Sequence, residues 1–153
     1  MANKVKARGH GTKNFPTKKN YCFACGKDNR DGMHLEFVFD PVRKRFISKF
    51  RLSKRFTGPP DHCHGGIIAT ILDDAMSKLS KLHDVIAATA ELKVEYLKPV
   101  PLHAPLRVEA CELHRRGRTF IRQAEILDQQ ERTLAKGRGV FVIINPKQVF
   151  QRD

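Results

Sequence analysis

The 153-residue sequence has no long apolar run, and no window approaches the ~20 apolar residues that a membrane-spanning helix needs. No apolar stretch of the signal-peptide kind follows the basic residues 1–8, so we expect a cytoplasmic protein. Cysteine is also scarce, and four residues favour thiols over a disulfide framework. With 41% hydrophobic residues, a chain of this length can build one core without disulfides or metal.

Acidic residues are few as well, since 16 Asp and Glu stand against 29 Lys and Arg, which gives a net charge of +13. Residues 1–20 contain six of the basic residues, no acid and only scattered apolar side chains. Burial cannot offset the entropy of ordering such a segment, so we expect a disordered basic arm followed by one folded domain over residues 21–153. Without the arm, the domain has 23 basic against 16 acidic residues, a net charge of +7.

Hydrophobic periodicity predicts one helix and several strands, an α+β fold. The helix is expected over residues 64–82, where apolar residues recur at helical spacing. Short separators between the strands predict hairpins and therefore a mainly antiparallel sheet. The predicted strands are residues 35–39, 46–52, 89–96, 106–113, 119–127 and 134–144. In the third of these, alternation places Leu92 and Tyr96 on one face and Thr89 on the other.

The predicted helix carries two different polar edges beside its apolar stripe. Asp74, Lys78 and Lys81 share a charged edge, on which Asp74 and Lys78 have the spacing of an i, i+4 ion pair. The other edge consists of small residues and one carboxylate, Asp73, which has no basic residue three or four positions away. A carboxylate in that setting is either a satisfied core acid or a base or nucleophile that faces a partner surface.

Two glycines, Gly65 and Gly66, stand at the start of the predicted helix. Backbone N–H groups there are unhindered, and the helix dipole adds partial positive charge. A carbonyl placed against the Gly65 N–H would be polarised, as in an oxyanion hole. The alternative is that the glycine pair only forms a tight loop.

These residues resemble a known family. The segment from His64 to Met76, HGGIIATILDDAM, is similar to the helix of hotdog-fold acyl-CoA thioesterases of the phenylacetate-pathway, 4-hydroxybenzoyl-CoA thioesterase-like type. The segment from Tyr21 to Gly32 resembles the Cys-Phe-x-Cys-Gly lead-in of that family, and residues 89–101 resemble its first strand after the helix. Together these matches extend over about residues 21–144.

The resemblance implies a hotdog fold, in which a curved antiparallel sheet wraps around a long central helix. It also implies a homodimer or a dimer-of-dimers tetramer, active sites between protomers, an acyl-CoA substrate, and no metal or other cofactor. Asp73 would be the general base or nucleophile toward the thioester, and the Gly65 N–H would bind its oxygen. His64 would shape the loop or assist by hydrogen bonding, and Thr89 would orient the hydrolytic water.

Binding of coenzyme A is expected to involve basic residues, because guanidinium groups hold phosphates through two hydrogen bonds. The candidates are Arg116 and Arg118 at a predicted hairpin tip and Arg138 on the neighbouring strand, with Gly66 at the helix start. The alternative for the hairpin tip is a solvated turn.

Some family members carry an amide side chain six residues before the histidine. This sequence has Gly58 at that position and so departs from them. Asp61 or His62 is the candidate replacement.

Two local motifs allow further alternatives. A metal site on Cys22 and Cys25, completed by His34, His62 or Cys63, competes with a packed pair of thiols. Residues 61–63, Asp-His-Cys, could be imagined as a nucleophile set, although adjacent residues rarely point at one another.

The sequence therefore predicts an acyl-CoA thioesterase. A non-catalytic hotdog protein that binds acyl-CoA or another ligand is the second hypothesis. The third is a nucleic-acid-associated protein that uses the basic arm, but no nucleic-acid motif with interleaved aromatic residues supports it.

Overall fold

A computed structural model describes residues 19–150. It contains six strands, one long helix and a short C-terminal helix. The strands are β1 (Val38–Asp40), β2 (Arg45–Phe50), β3 (Ala87–Tyr96), β4 (Leu106–Arg116), β5 (Thr119–Leu127) and β6 (Thr133–Ile143); the helices are α1 (Gly65–Ser77) and α2 (Pro146–Phe150). Apart from its last two residues, the predicted arm over residues 1–20 lies outside the described part of the chain, as do residues 151–153.

The six strands form one antiparallel sheet in the order β1-β2-β4-β5-β6-β3. The predicted antiparallel sheet is therefore confirmed, with β1 and β3 at its edges. Strand β1 is shorter than predicted because the chain before it bonds elsewhere. The N–H groups of Met33 and Leu35 donate to the carbonyl oxygens of Phe23 and Ala24, at 2.7 and 2.9 Å.

Helix α1 packs across one face of the sheet and confirms the predicted helix. Its buried residues include Ile68, Ile71, Leu72, Ala75 and Met76, which meet inward-facing residues of β4, β5 and β6. The last predicted turns, Lys78–His83, form a 3-10 helix that ends at Asp84, whose φ of 50° is left-handed. No helix within residues 19–150 is both long and apolar enough to cross a membrane.

The sheet approaches α1 closely at two glycines of β6. A Cβ atom at Gly137 would lie 3.2 Å from the Cβ of Leu72, and one at Gly139 would lie 3.3 Å from the Cε of Met76 and 2.5 Å from the Phe141 ring. These glycines let the helix backbone lie near the sheet, so the exposed edges of α1 lie close to β3 and β6.

The C-terminal end of α1 is tied to the sheet by a buried arginine, Arg122 on β5. Its guanidinium donates to the Met76 carbonyl oxygen at 3.2 Å and to the Ser80 hydroxyl at 2.8 Å. It lies over the rings of Phe120 and Phe141, at 4.5 and 5.0 Å from their centroids. The charged side chain therefore belongs to the core, where it contacts the Met76 carbonyl oxygen near the end of α1.

Strand β3 contains a β-bulge between Thr89 and Glu91. The extra residue reverses the side-chain alternation, so Thr89 lies on the same, helix-facing side as Leu92 and Tyr96. The predicted placement of Thr89 on the opposite face was wrong, because a strict two-residue period cannot account for an inserted residue. The bulge thus turns the Thr89 hydroxyl toward α1.

Candidate active site

The loop before α1 ends in a helix cap formed by His64. This residue has extended backbone angles, φ −63° and ψ 137°, and its Nδ1 accepts a hydrogen bond from the Gly66 N–H at 2.9 Å. The cap occupies the Gly66 N–H, which leaves the N–H of Gly65 as the donor at the helix end. The described part of the chain provides no hydrogen-bond acceptor for it. His64 thus caps the start of α1, and its part in catalysis stays a prediction.

Tyr96, at the end of β3, covers the start of α1. Its hydroxyl donates to the Gly65 carbonyl oxygen at 2.9 Å, and a Cβ at Gly65 would lie 3.4 Å from its ring. The side chain is 56% exposed, so its ring forms one wall of an open surface beside the Gly65 N–H. From the sequence, Tyr96 was predicted only as a strand residue. Its alternation with Leu92 was the signal that its side chain faces the helix.

The position that carries an amide in some family members, Gly58, has no space for a side chain here. A Cβ at Gly58 would lie 2.6 Å from the Cα of His64. The two suggested replacements, Asp61 and His62, lie on the same loop. Asp61 is exposed, and a ring nitrogen of His62 lies 2.8 Å from the Pro60 carbonyl oxygen.

Asp73 lies on the small-residue edge of α1 and faces β3. Its Oδ1 accepts a hydrogen bond from the Thr89 hydroxyl at 2.7 Å. Burial raises the pKa of Asp73 above its ordinary value; the Thr89 hydrogen bond opposes this rise, and the nearby charge of Asp74 adds to it. The structure therefore brings together Asp73 and Thr89, with no cation paired to the carboxylate among the described residues.

Asp73 and the Gly65 N–H cannot act on one carbonyl group within a single chain. They are eight residues apart on the same helix, which corresponds to about 12 Å along its axis at 1.5 Å per residue. A thioester carbonyl would have to lie about 3 Å from its oxyanion donor and close to the attacking group. One chain therefore places these two groups too far apart to contact the same carbonyl group.

Asp74, the next residue, is buried on the opposite side of α1. It forms an ion pair with Lys78, with 3.2 Å between Oδ1 and Nζ, which confirms the predicted i, i+4 pair. The turn containing Cys22 and Cys25 covers this edge. The Cys22 thiol donates to Asp74 Oδ1 at 3.9 Å, and the Lys78 ammonium donates to the Cys25 sulfur at 2.7 Å.

The Asp-His-Cys sequence at residues 61–63 does not form a nucleophile set. Cys63 is buried, its thiol donates to the His64 carbonyl oxygen at 3.5 Å, and burial raises its pKa to about 11. The thiol is therefore protonated at neutral pH.

The residues that could hold a metal differ from those suggested by the sequence. Within residues 19–150, three potential metal ligands cluster together: Cys22, Cys25 and Asp74. Their ligand atoms all lie within 4.8 Å of one another. Completion by His34, His62 or Cys63 was therefore wrong. His34 lies in the segment that bonds to this turn, but its Nε2 contacts the Asn29 carbonyl oxygen. The ring of His62 contacts the Pro60 carbonyl oxygen and the Cys63 thiol that of His64, whereas Asp74 projects from α1 toward the two thiols.

The predicted phosphate-binding arginines are divided between two places. Arg116 and Arg118 flank the β4–β5 turn, where Arg118 donates to the Ile143 carbonyl oxygen at 2.7 Å. Arg138 on β6 pairs in register with Gln123 of β5 and Lys93 of β3. It lies five residues before Ile143, which corresponds to about 17 Å along the strand. Arg138 lines a cavity of about 200 Å³ on the sheet face opposite α1, together with Lys93, Glu95, Gln123, Lys136 and Gly137.

A larger cavity, of about 590 Å³, lies between the ends of β2 and β5 and the start of β4. Its lining includes Lys49, Arg51, Arg107, Asp128 and Glu131 but none of the predicted site residues. The chemistry-bearing residues therefore lie on an open surface along α1 and edge strand β3, not in this cavity.

The long helix lying on one face of a six-stranded antiparallel sheet is the hotdog fold that the resemblance implied. A family model described as "Thioesterase superfamily" matches residues 61–135, which include the glycine pair, Asp73 and Thr89. The chain has the hotdog fold, and its residues 61–135 are similar to the thioesterase superfamily.

Individual thioesterases and thioesterase-like structures show the same similarity. The chain is 29% identical over 120 residues to acyl-coenzyme A thioesterase THEM4 of Mus musculus, covering 76% of this chain and 52% of that protein. Among solved structures, the thioesterase superfamily protein RHA08564 superposes with a TM-score of 0.75 at 23% identity, over 80% of this chain and 60% of that one. The protein BH2602 of Bacillus halodurans, solved with CoA, has a TM-score of 0.65 at 27% identity, over 73% and 75% of the two chains.

The chain spans about half the length of the THEM4 proteins that it matches.

Proposed function

We propose that this protein hydrolyses an acyl-CoA thioester to a carboxylic acid and free CoA. The observation that carries the proposal is Asp73, a half-buried carboxylate of raised pKa that is oriented by Thr89 and has no cationic partner among the described residues. A carboxylate in this state is a stronger base than an ordinary one and is free to accept a proton. The name of the THEM4 relatives and the CoA bound to BH2602 support the substrate class.

The complete site lies between two chains. Because about 12 Å separates Asp73 from the Gly65 N–H in one chain, the donor that faces Asp73 must come from another copy. Strand β3 offers the surface for this contact, since it is a ten-residue edge strand whose outer hydrogen-bonding groups need a partner. A two-fold axis beside β3 would form two identical sites, each with Asp73 from one protomer and Gly65 from its partner.

In the general-base route, Asp73 accepts a proton from a water molecule as the water oxygen attacks the thioester carbonyl carbon. The carbonyl oxygen becomes negatively charged, and the partner's Gly65 N–H at the positive end of α1 stabilises it. Collapse of this intermediate breaks the carbon–sulfur bond, and the CoA thiolate takes up the proton. In the alternative route, the Asp73 carboxylate attacks the carbon directly, and water hydrolyses the resulting anhydride. One turnover in ¹⁸O-water leaves label in Asp73 only by that second route.

Several basic residues fit the phosphates of CoA. Arg116 and Arg118 at one end of the sheet and Arg138 on its outer face are exposed and separated, so one CoA molecule contacts one group or the other. The net charge of +7 over residues 21–153 would also raise the encounter rate with a polyanionic substrate.

The first experiment is a hydrolysis assay with aromatic, short-chain and long-chain acyl-CoAs, with release of free thiol as the readout. We expect turnover of at least one class. A second candidate function, non-catalytic binding of acyl-CoA, is favoured by the absence of an amide side chain at Gly58. Measurable CoA binding without hydrolysis of any substrate would support binding and contradict the hydrolase.

The second experiment tests the shared site by mixing two inactive variants. Asp73→Asn removes the base, and Gly65→Pro removes the N–H donor. Proline suits the first helical position, and the extended His64 before it is compatible with proline. Each variant alone should be inactive, whereas unfolding and refolding them together should restore about a quarter of wild-type activity, since half of the dimers carry one intact site.

Gly65→Ala is the matched control, because it keeps the N–H and adds only a Cβ at contact distance from Tyr96. It should retain activity. If the mixture stays inactive while dimers of both variants form, the site is not shared in the way proposed.

A further inference from the structure

Cys22 and Cys25 lie at the two ends of a tight turn. The Gly26 N–H closes this turn by donating to the Cys22 carbonyl oxygen at 2.8 Å. Gly26 has no space for a side chain, because an added Cβ would lie 2.4 Å from the Cys22 nitrogen and 2.6 Å from the Asn20 carbonyl oxygen. The turn therefore holds both thiols on one side, against α1.

The two sulfur atoms lie within 4.8 Å of each other and of a carboxylate oxygen of Asp74. Cys22 is exposed and Cys25 is half-buried. One thiol thus meets solvent and the other lies directly behind it, which is the arrangement of an attacking and a resolving cysteine.

Hydrogen bonding and burial distinguish the two thiols. A hydrogen bond from the Cys25 thiol and the N–H groups of Cys25 and Ala24 lower the pKa of Cys22 to about 6, against the opposing effects of burial and Asp74. The pKa of Cys25 is raised, first because it donates that hydrogen bond and then by burial, although Lys78 opposes the rise. The exposed Cys22 sulfur is thus the one that ionises more readily and that a peroxide can reach, and the Cys25 thiol lies behind it.

We propose that Cys22 and Cys25 are a reversible oxidation site, at which a hydroperoxide converts the dithiol to an intramolecular disulfide. The inference does not depend on thioesterase activity, because it rests on the turn, the proximity of the thiols and their different exposure.

The chemistry balances with hydrogen peroxide as oxidant. The Cys22 thiolate attacks one peroxide oxygen, so a sulfur–oxygen bond forms, the oxygen–oxygen bond breaks, and the departing hydroxide takes a proton to become water. Cys25 then attacks the sulfur of the sulfenic acid, which forms the disulfide and expels hydroxide, and the Cys25 proton converts this to a second water. Two thiols are oxidised by two electrons, and one peroxide is reduced to two waters.

A divalent metal is the competing occupant, and the position of Lys78 argues against it. The ammonium group lies 2.7 Å from the Cys25 sulfur and 3.2 Å from Asp74, so it already supplies positive charge to two of the three ligand atoms. Zinc in a structural site takes four ligands. A dication would have to displace the lysine from a site that offers three.

The test begins with the full-length protein, reduced and then treated with one equivalent of hydrogen peroxide at pH 7. We expect a mass loss of about 2 Da, which corresponds to two hydrogen atoms. Peptide mapping should find Cys22 linked to Cys25, and dithiothreitol should restore the original mass. Cys25→Ser should stop at a sulfenic acid on Cys22 that dimedone traps, whereas Cys22→Ser should not react at Cys25.

Cys111→Ser is the matched control, since this half-buried thiol lies on β4 away from the turn and its loss should leave the reaction unchanged. Alkylation rates supply an independent measure. At pH 6, iodoacetamide should modify Cys22 about tenfold faster than an ordinary thiol, because the higher thiolate fraction outweighs its lower nucleophilicity.

Three results would overturn the proposal. One is full alkylation of both cysteines after peroxide treatment. Another is Cys22 alkylation with the pH midpoint of an ordinary thiol. The third is one equivalent of zinc that protects both thiols and that a chelator removes.

Discussion

Asp73 and Asp74 are adjacent in the chain and have opposite surroundings. Asp73 faces edge strand β3, is half-buried, and accepts a hydrogen bond from the neutral Thr89 hydroxyl. Asp74 is 8% exposed and pairs with Lys78 under the turn that contains Cys22. One residue along a helix is a rotation of 100°, so this single step separates an unpaired carboxylate beside β3 from one that is ion-paired in the protein interior.

The comparison shows that burial alone does not identify a catalytic acid. Asp74 is the more buried of the two, yet its charge is matched by an ammonium group inside the same cluster. Burial raises the pKa of Asp73 above its ordinary value, and the Thr89 hydroxyl opposes this rise without a paired cation to help it. The absence of a paired cation, rather than depth, makes Asp73 the candidate base.

The largest expected contrast comes from Asp73→Asn and Asp74→Asn. The first should lower kcat by about 10² to 10⁴, the usual contribution of a positioned general base, and leave the fold intact. The second should keep turnover but reduce the free energy of unfolding by about 3 kcal/mol, because it leaves the Lys78 ammonium without its buried partner. Acyl-CoA hydrolysis and urea unfolding measure the two effects.

Asp73→Asn should also raise the melting temperature at neutral pH. A carboxyl group whose pKa is raised on folding favours the folded state below its unfolded pKa, and this benefit is lost as the pH rises through the folded pKa. If Asp74→Asn does not fold, Asp74→Asn with Lys78→Met removes both charges and should fold better. Loss of activity in that double variant would contradict the division of roles.

Thr89→Ala should have an intermediate effect that appears in the pH profile. The Thr89 hydroxyl lowers the pKa of Asp73, so its removal should raise that pKa further and shift the acidic limb of kcat/KM to higher pH. Thr89→Ser keeps the hydroxyl and should retain the wild-type profile. A profile unchanged in Thr89→Ala would contradict the hydrogen bond as a determinant of the Asp73 pKa.

The smallest effect is expected for Tyr96→Phe. This change removes the hydrogen bond to the Gly65 carbonyl oxygen but keeps the ring over the helix start, and a bond of this kind contributes about 1 kcal/mol. We expect KM or kcat to change by less than tenfold. Tyr96→Ala, which also removes the wall beside Gly65, should be more damaging, and equal effects of the two variants would mean that the hydroxyl alone matters.

Periodicity was sufficient to predict most of the fold. The helix over residues 64–82 and the strand over residues 119–127 follow from regular spacing of apolar residues, because each buries one face against the other. The i, i+4 pair of Asp74 and Lys78 also followed from helical geometry alone. The role of Asp73 depended on the resemblance together with its position on the small-residue edge.

Long-range contacts could not be predicted in this way. The bulge in β3 has no signal in a two-residue alternation, so Thr89 was placed on the wrong face. The contact of the Cys22 turn with Asp74 joins residues 52 positions apart, and nothing local indicates it. Nothing in the local sequence of β5 indicates the burial of Arg122, which α1 and two phenylalanine rings enclose.

That arginine makes the two ends of α1 depend on different parts of the molecule. Arg122 joins the Met76 carbonyl to β5, three residues beyond Asp73, so the carboxylate stands close to a buried attachment between helix and sheet. The Gly65 end is held instead by the His64 cap and the Tyr96 hydroxyl, both on exposed residues. In a two-fold pair, a base positioned by the core of one chain would face a donor positioned by the surface of the other, so core and surface substitutions would act on different halves of one site.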